Sequence, residues 1–143
     1  MTVKANYSLA AATREGAVTL TYGDSTVTIP VAQEEGKIYM KPNANWVVDN
    51  ARFAVYTWNV SGDKWESLTA VEINNATYYE VAVSRVNTDV IFCRMNPSSP
   101  DNNWDNKWNQ TSDLKLDGTN NLYSIAEGAW DNGQGAWSVL QAE

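Results

Sequence analysis

The sequence predicts an all-β fold, an Ig-like β-sandwich of two antiparallel sheets preceded by a β-hairpin. Three observations predict it. Apolar and polar residues alternate at period two through segment after segment, turn signals of Gly, Asn, Asp and Pro separate those segments at short intervals, and no stretch carries a convincing period of 3.6.

Residues 17–32, AVTLTYGDSTVTIPVA, read as the hairpin. Val18, Leu20 and Tyr22 alternate with Ala17, Thr19 and Thr21, Gly23-Asp24 turns the chain, and Val27, Ile29 and Val31 resume the alternation. Pro30 lacks an N–H, so the second strand is an edge or bulged. KIYM at 37–40 is the next strand, and Pro42 with Asn43 to Asn45 is a turn. In the segment after Ala51, Phe53, Val55 and Thr57 point one way and Ala54, Tyr56 and Trp58 the other; burying Phe53 and Val55 turns Tyr56 and Trp58 outward. Ser61-Gly62-Asp63 signals a turn that returns Trp65 beside Tyr56. Leu68 and Ala70 occupy the opposite phase from Trp65, so burying Leu68 turns Trp65 outward as well. Tyr79, Val81 and Val83 alternate through a half-buried strand, and Val90 to Met95 is apolar on both faces, as a central strand would be. LKLDGTNNLYSI at 114–125 holds an Asp117-Gly118 turn between two short strands, and AWSVL from Ala136 closes the fold.

The 143 residues suffice for one full core, or for one domain plus a fragment. Ten Lys plus Arg against seventeen Asp plus Glu give a net charge of −7, which repels phosphate backbones and anionic lipid. Neither nucleic acid nor a membrane surface is therefore an expected partner, and no membrane insertion by this segment is expected. The chain has no His, which removes Ser-His and Cys-His nucleophile arrangements. The single cysteine, Cys93, allows neither a disulfide framework nor a zinc site within one chain, and its apolar strand marks it as a small buried hydrophobe. No segment has the length of a membrane span or the apolar core of a signal peptide, and Met1 reads as a fragment boundary. No cofactor is expected.

The stretch VIFCRMNPSSPDNNWDNKWNQTSD, residues 90–113, runs from an apolar strand into an amide-rich loop with two tryptophans, Trp104 and Trp108. Indoles placed among amides and carboxylates suit a sugar, whose C–H faces pack on rings while its hydroxyls need polar partners. The candidate ligand-binding residues are Tyr56, Trp58, Trp65, Asn103, Trp104, Asp105, Asn106, Lys107 and Trp108, with Gln110 a further hydroxyl partner by chemistry. The plain alternative is that the rings are core, and Trp46, Tyr79 and Trp137 are assigned there. Asp101, Asn103 and Asp105 have the spacing that opens a calcium loop, but Asn106 replaces its Gly and Ser112 its bidentate Glu. No metal is expected, and the loop reads as side chains capping their own backbone. Glycoside hydrolysis needs a carboxylate pair in a deep cleft, for which a sandwich this small leaves no room; the chain is not expected to be an enzyme.

Residues 14–33, REGAVTLTYGDSTVTIPVAQ, resemble the closing strands of the BACON domain, a small β-sandwich of bacterial surface carbohydrate-active proteins, through Arg14, Tyr22-Gly23-Asp24 and Gln33. That resemblance implies that residues 1–36 are a hairpin from the C-terminal part of such a domain plus the linker Gln33-Glu34-Glu35-Gly36. Its apolar face is expected to pair weakly with the same hairpin of a second chain, docking on its own module or fraying being the alternatives. The rest, residues 37–143, forms the second unit. KIYMKPNANW at 37–46, ARFAVYTWN at 51–59, KWESL at 64–68, VIFCRMNP at 90–97, NNWDNKWNQTSDL at 102–114 and GAWDN at 128–132 resemble the family 26 starch-binding modules, and the related family 25, of bacterial amylolytic proteins. The resemblance implies a non-catalytic β-sandwich that binds starch and maltooligosaccharides as part of a larger secreted or cell-surface protein of polysaccharide utilisation. It implies Tyr56 as platform tyrosine, Trp65 as the facing tryptophan, and Trp104-Asp105-Asn106 as the polar loop. Trp58 beside Tyr56 and Trp108 beyond Trp104 depart from shorter family members, so which of each pair stacks on sugar stays open. The second functional reading is a structural Ig-like spacer of a surface glycan-utilisation protein.

Overall fold

The structure, a computed structural model, describes residues 14–33, 36–59, 62–82, 87–132 and 134–140. Ser61 of the expected turn, Val83, and Glu34-Glu35 of the expected linker lie outside the described residues. The described residues contain no α-helix, only one 3-10 turn at Val48–Asn50, and no helix long and apolar enough to cross a membrane.

The hairpin is β1 (Arg14–Tyr22) and β2 (Ser25–Gln33), antiparallel along its whole length around a two-residue turn in which Gly23 has φ 59°. Positive φ at that position is what the tight turn requires and glycine supplies at no steric cost. Pro30 sits opposite Ala17 in a two-stranded sheet where both strands are edges. Leu20, Tyr22, Val27 and Ile29 are all exposed.

The rest is a sandwich. The first sheet contains β4 (Arg52–Trp58), β5 (Lys64–Ser67), β8 (Asp89–Met95), β9 (Lys107–Gln110) and β10 (Leu114–Lys115), in the order β10-β8-β4-β5, with β9 also on β8. The second contains β3 (Lys37–Lys41), β6 (Thr69–Ile73), β7 (Ala76–Ala82), β11 (Leu122–Ile125) and β12 (Gly135–Ser138), in the order β12-β11-β3-β7-β6. β8 is buried along its entire length, as a central strand between two packed surfaces must be. All pairs are antiparallel except β3 with β11, which run parallel with Tyr39 beside Leu122.

The core lies between the sheets. Phe53, Val55, Val90 and Phe92 of the first face Ile38, Met40, Tyr123 and Ile125 of the second, with Tyr79 and Trp137 packed against them. Ring pairs bridge the layers: Phe53 and Tyr79 meet edge to face at 4.5 Å, and Phe92 and Tyr123 stack at 5.9 Å. Trp46 is fully buried and donates its Nε1–H to the Trp130 carbonyl at 2.9 Å.

One connection differs from the sequence expectation. The run from Lys64 to Ala70 is two strands: Ser67 pairs with Ala54 in the first sheet, Leu68 N–H donates to the Phe53 carbonyl, and Thr69 already pairs with Glu80 in the second. Leu68 is buried as expected, but its single residue carries the chain across the core. The expected Asp117-Gly118 turn between two short strands is present, with β10 and β11 joining different sheets.

Candidate functional site

The outer face of the first sheet is built by strand phase. Phe53, Val55 and Thr57 are buried toward the core, which sends Ala54, Tyr56 and Trp58 the other way, and Tyr56 lies directly between Trp65 of β5 and Ile91 of β8. Ala54, Ile91, Cys93 and Met95 form a buried apolar floor, and Trp58 and Trp65 pack on it. Trp104 folds back onto this face from the loop. Its ring meets Tyr56 at 4.8 Å and Trp65 at 4.7 Å, both edge to face, while Tyr56 and Trp65 lie 5.1 Å apart at 50° and Trp58 stacks on Tyr56 at 5.5 Å. Four sequence-predicted residues thus form one angled cluster, of which Trp104 is the most open at 44% exposed.

The loop that delivers Trp104 is stitched internally. Arg52, at the start of β4, donates Nε–H to the Asn96 and Ser99 carbonyls at 3.1 and 2.7 Å, an Nη2–H to the Asp101 carbonyl at 2.6 Å, and an Nη1–H to Asn102 Oδ1. Asn102 Nδ2 in turn donates to Ser67 Oγ at 3.0 Å, tying the loop to β5. Arg52 was not among the sequence candidates, and its fixed fork of donors is what holds the loop's carbonyls. Among the described residues no group of three or more acidic, His or Cys side chains could hold a metal ion.

The polar candidates divide. Asn103 Oδ1 accepts from Asn106 N–H at 2.9 Å, and Asn106 Nδ2 donates to Ser99 Oγ at 2.9 Å and to the Asp101 carbonyl at 3.2 Å, so both amides shape the loop. Lys107 donates to Gln110 Oε1 and stands 5.6 Å from the Trp104 ring. Asp105 is exposed. A carboxylate missed from the sequence, Asp63, acts on the Tyr56 hydroxyl and, with some burial, raises the phenol's pKa. Asn87 donates to the Gly62 carbonyl at 3.0 Å and fixes the residue before it. The signal for Asp63 was parity: it sits two residues before Trp65, on the same side of the chain. Cys93 beneath the cluster is fully buried, which pushes its thiol pKa up to about 12.

Trp108 does not join this cluster. The β8–β9 register slips between Arg94 and Met95: Lys107 opposes Met95, Asn109 opposes Arg94, and Trp108 is the extra residue of the bulge. Its ring lies over the Arg94 guanidinium at 4.6 Å. Arg94 shares the phase of Val90 and Phe92, so Trp108 serves the opposite side of β8 from Trp104. Comparison with known proteins finds no matching family model, no similar curated protein and no similar solved structure.

Proposed function

We propose that this chain is a non-catalytic carbohydrate-binding module that takes α-glucans on the outer face of its first sheet. The observation that carries the reading is the cluster itself: Tyr56, Trp65 and Trp104 have centroids within 4.7–5.1 Å of one another and planes inclined by 50–69°. A curved α-1,4-glucan fits inclined rings better than a flat strip of them, and Asp63, Asp105 and Lys107 stand at the rim for its hydroxyls. An open site leaves much of the sugar wet, and with each ring contact contributing about 0.5–1.5 kcal/mol the affinity belongs in the micromolar to millimolar range. Such binding becomes useful when several modules share one secreted or cell-surface polypeptide. The alternative, a structural spacer, makes the rings no more than a cover for Ile91, Cys93 and Met95; the exposure of Trp104 speaks against it.

The test is native electrophoresis in gels containing amylopectin. Wild type should be retarded, Tyr56→Ala and Trp65→Ala should run as in plain gels, and no reducing sugar should be released. Loss of the Trp65 ring contacts should also cost about 1–3 kcal/mol of stability, so each variant is checked for folding by its melting curve. Unretarded wild type would refute the reading.

A further inference from the structure

A second aromatic pair lies on the other side of β8. Arg94, 4% exposed, sits 4.6 Å from the ring centre of Trp108 and 5.5 Å from that of Trp130, so the two centres are no farther apart than those distances laid end to end. One side of each ring faces the guanidinium, yet Trp108 remains 39% and Trp130 45% exposed. The tripeptide Trp-Asp-Asn that delivers Trp104 in the first cluster occurs again at Trp130-Asp131-Asn132.

The pair is held rigid before any ligand arrives. Arg94 donates Nε–H to the Trp46 carbonyl at 2.9 Å and Nη2–H to the Val48 carbonyl at 2.7 Å and Asp49 Oδ2 at 2.9 Å. Buried Asn43 donates to the Ala126 and Ala129 carbonyls at 2.6 and 2.9 Å, and Trp46 Nε1–H to that of Trp130, which fixes the segment carrying the second ring. Asp131 Oδ1 accepts from Gln110 N–H at 3.2 Å, so the loop of Trp130 is tied to the strand of Trp108.

The charges select the ligand class. Asp49 and Asp131 stand at the rim and repel an anion. A cationic ligand, which indole faces otherwise attract, meets the guanidinium already stacked on both rings. A neutral polyol is repelled by neither, and it brings C–H faces for the indoles and hydroxyls for the carboxylates. We infer that Trp108 and Trp130 form a second α-glucan platform, separate from the Tyr56 cluster, which makes a single module bivalent. The inference rests on the α-glucan reading of that first cluster.

The test is a titration of the ¹⁵N-labelled chain with maltoheptaose, reading the indole Nε1–H signals of its seven tryptophans, assigned with Trp108→Phe and Trp130→Phe. In wild type, signals of both clusters should shift. In Trp65→Ala and, separately, Tyr56→Ala, those of Trp108 and Trp130 should still shift at an unchanged midpoint, with the buried Trp46 signal in place to report the fold. Shifts of Trp65 and Trp104 alone overturn the second platform and leave the first. Disappearance of the Trp108 and Trp130 shifts in both folded variants overturns its independence. Shifts of Trp108 and Trp130 alone in wild type overturn the first cluster as a site, and no shift in any signal overturns both.

Discussion

Replacing Arg94 by Met keeps most of the aliphatic volume and removes the guanidinium. The buried Trp46 carbonyl then loses its donor, at about 1–3 kcal/mol for an unsatisfied buried group, and the Val48 carbonyl loses one nearer to water. Two cation–π contacts disappear with the charge, each contributing about 0.5–1 kcal/mol near the surface. The expected loss is about 3–5 kcal/mol, a large share of the ~5–15 kcal/mol of a typical domain. Arg94→Lys keeps the charge but cannot serve two carbonyls and two rings from one ammonium, so it should fall between Met and wild type. Asp49→Ala should cost less than about 1 kcal/mol, because the Asp49 side chain is 67% exposed and its attraction to Arg94 is screened by solvent. Urea unfolding followed by tryptophan fluorescence measures all three; at a slope near 2 kcal/mol/M, Arg94→Met lowers the midpoint by roughly 2 M. The reasoning is refuted if Asp49→Ala is as damaging as Arg94→Met, or if Arg94→Met lies within about 1 kcal/mol of wild type, the loss of one ordinary net hydrogen bond.

Three other outcomes are expected. Asp89 is nearly buried, and hydrogen bonds from Lys115 first, then Asn59 and Thr88, hold its carboxyl below the usual range. Its stabilisation is therefore present above the unfolded carboxylate pKa and is lost as pH falls through the lower folded value; Asp89→Asn should flatten the acid limb of stability against pH, and an unchanged limb would exclude this residue as its source. Cys93 should resist iodoacetamide in the native chain and react only in denaturant, since its thiol is buried and its pKa is raised to about 12; stoichiometric native labelling would contradict that burial. Gly135→Ala would place a Cβ 2.4 Å from the Ser124 carbonyl oxygen and 2.7 Å from the Tyr123 ring, and should lower stability by about 1–3 kcal/mol through displacement of β12; a melting curve like that of wild type would show that the strand shifts freely.

Alternation made the Tyr56 face legible because one side of β4 is buried, and a one-residue error there would turn every ring inward. The same rule missed the crossing at Leu68, since a single buried residue can link the two sheets without interrupting the period. Pairing of β3 with β11 joins residues 37–41 to 122–125, and no local pattern encodes so distant a neighbour. Trp104 and Trp108, grouped by proximity in sequence, part company at a bulge that composition does not mark. Asn103 and Asn106 answer to loop backbone, the plain reading of an amide-rich turn. Trp130 could have been found by setting its Trp-Asp-Asn beside that of Trp104.

Asn121 ties together the first and last strands of the sandwich. Its carbonyl accepts from Tyr39 N–H at 2.7 Å, its N–H donates to the Ser138 carbonyl at 3.0 Å, and its Oδ1 accepts from Leu140 N–H at 2.7 Å. Chain therefore enters β3 and leaves β12 at the same end of the second sheet. Tension applied between residues 36 and 140 would strip β12 from β11 beginning at Ser138, one hydrogen bond at a time, instead of loading the whole ladder in shear. The module would yield by unzipping, and β4 and β5, with Tyr56 and Trp65, lie in the other sheet, outside the first path of the force.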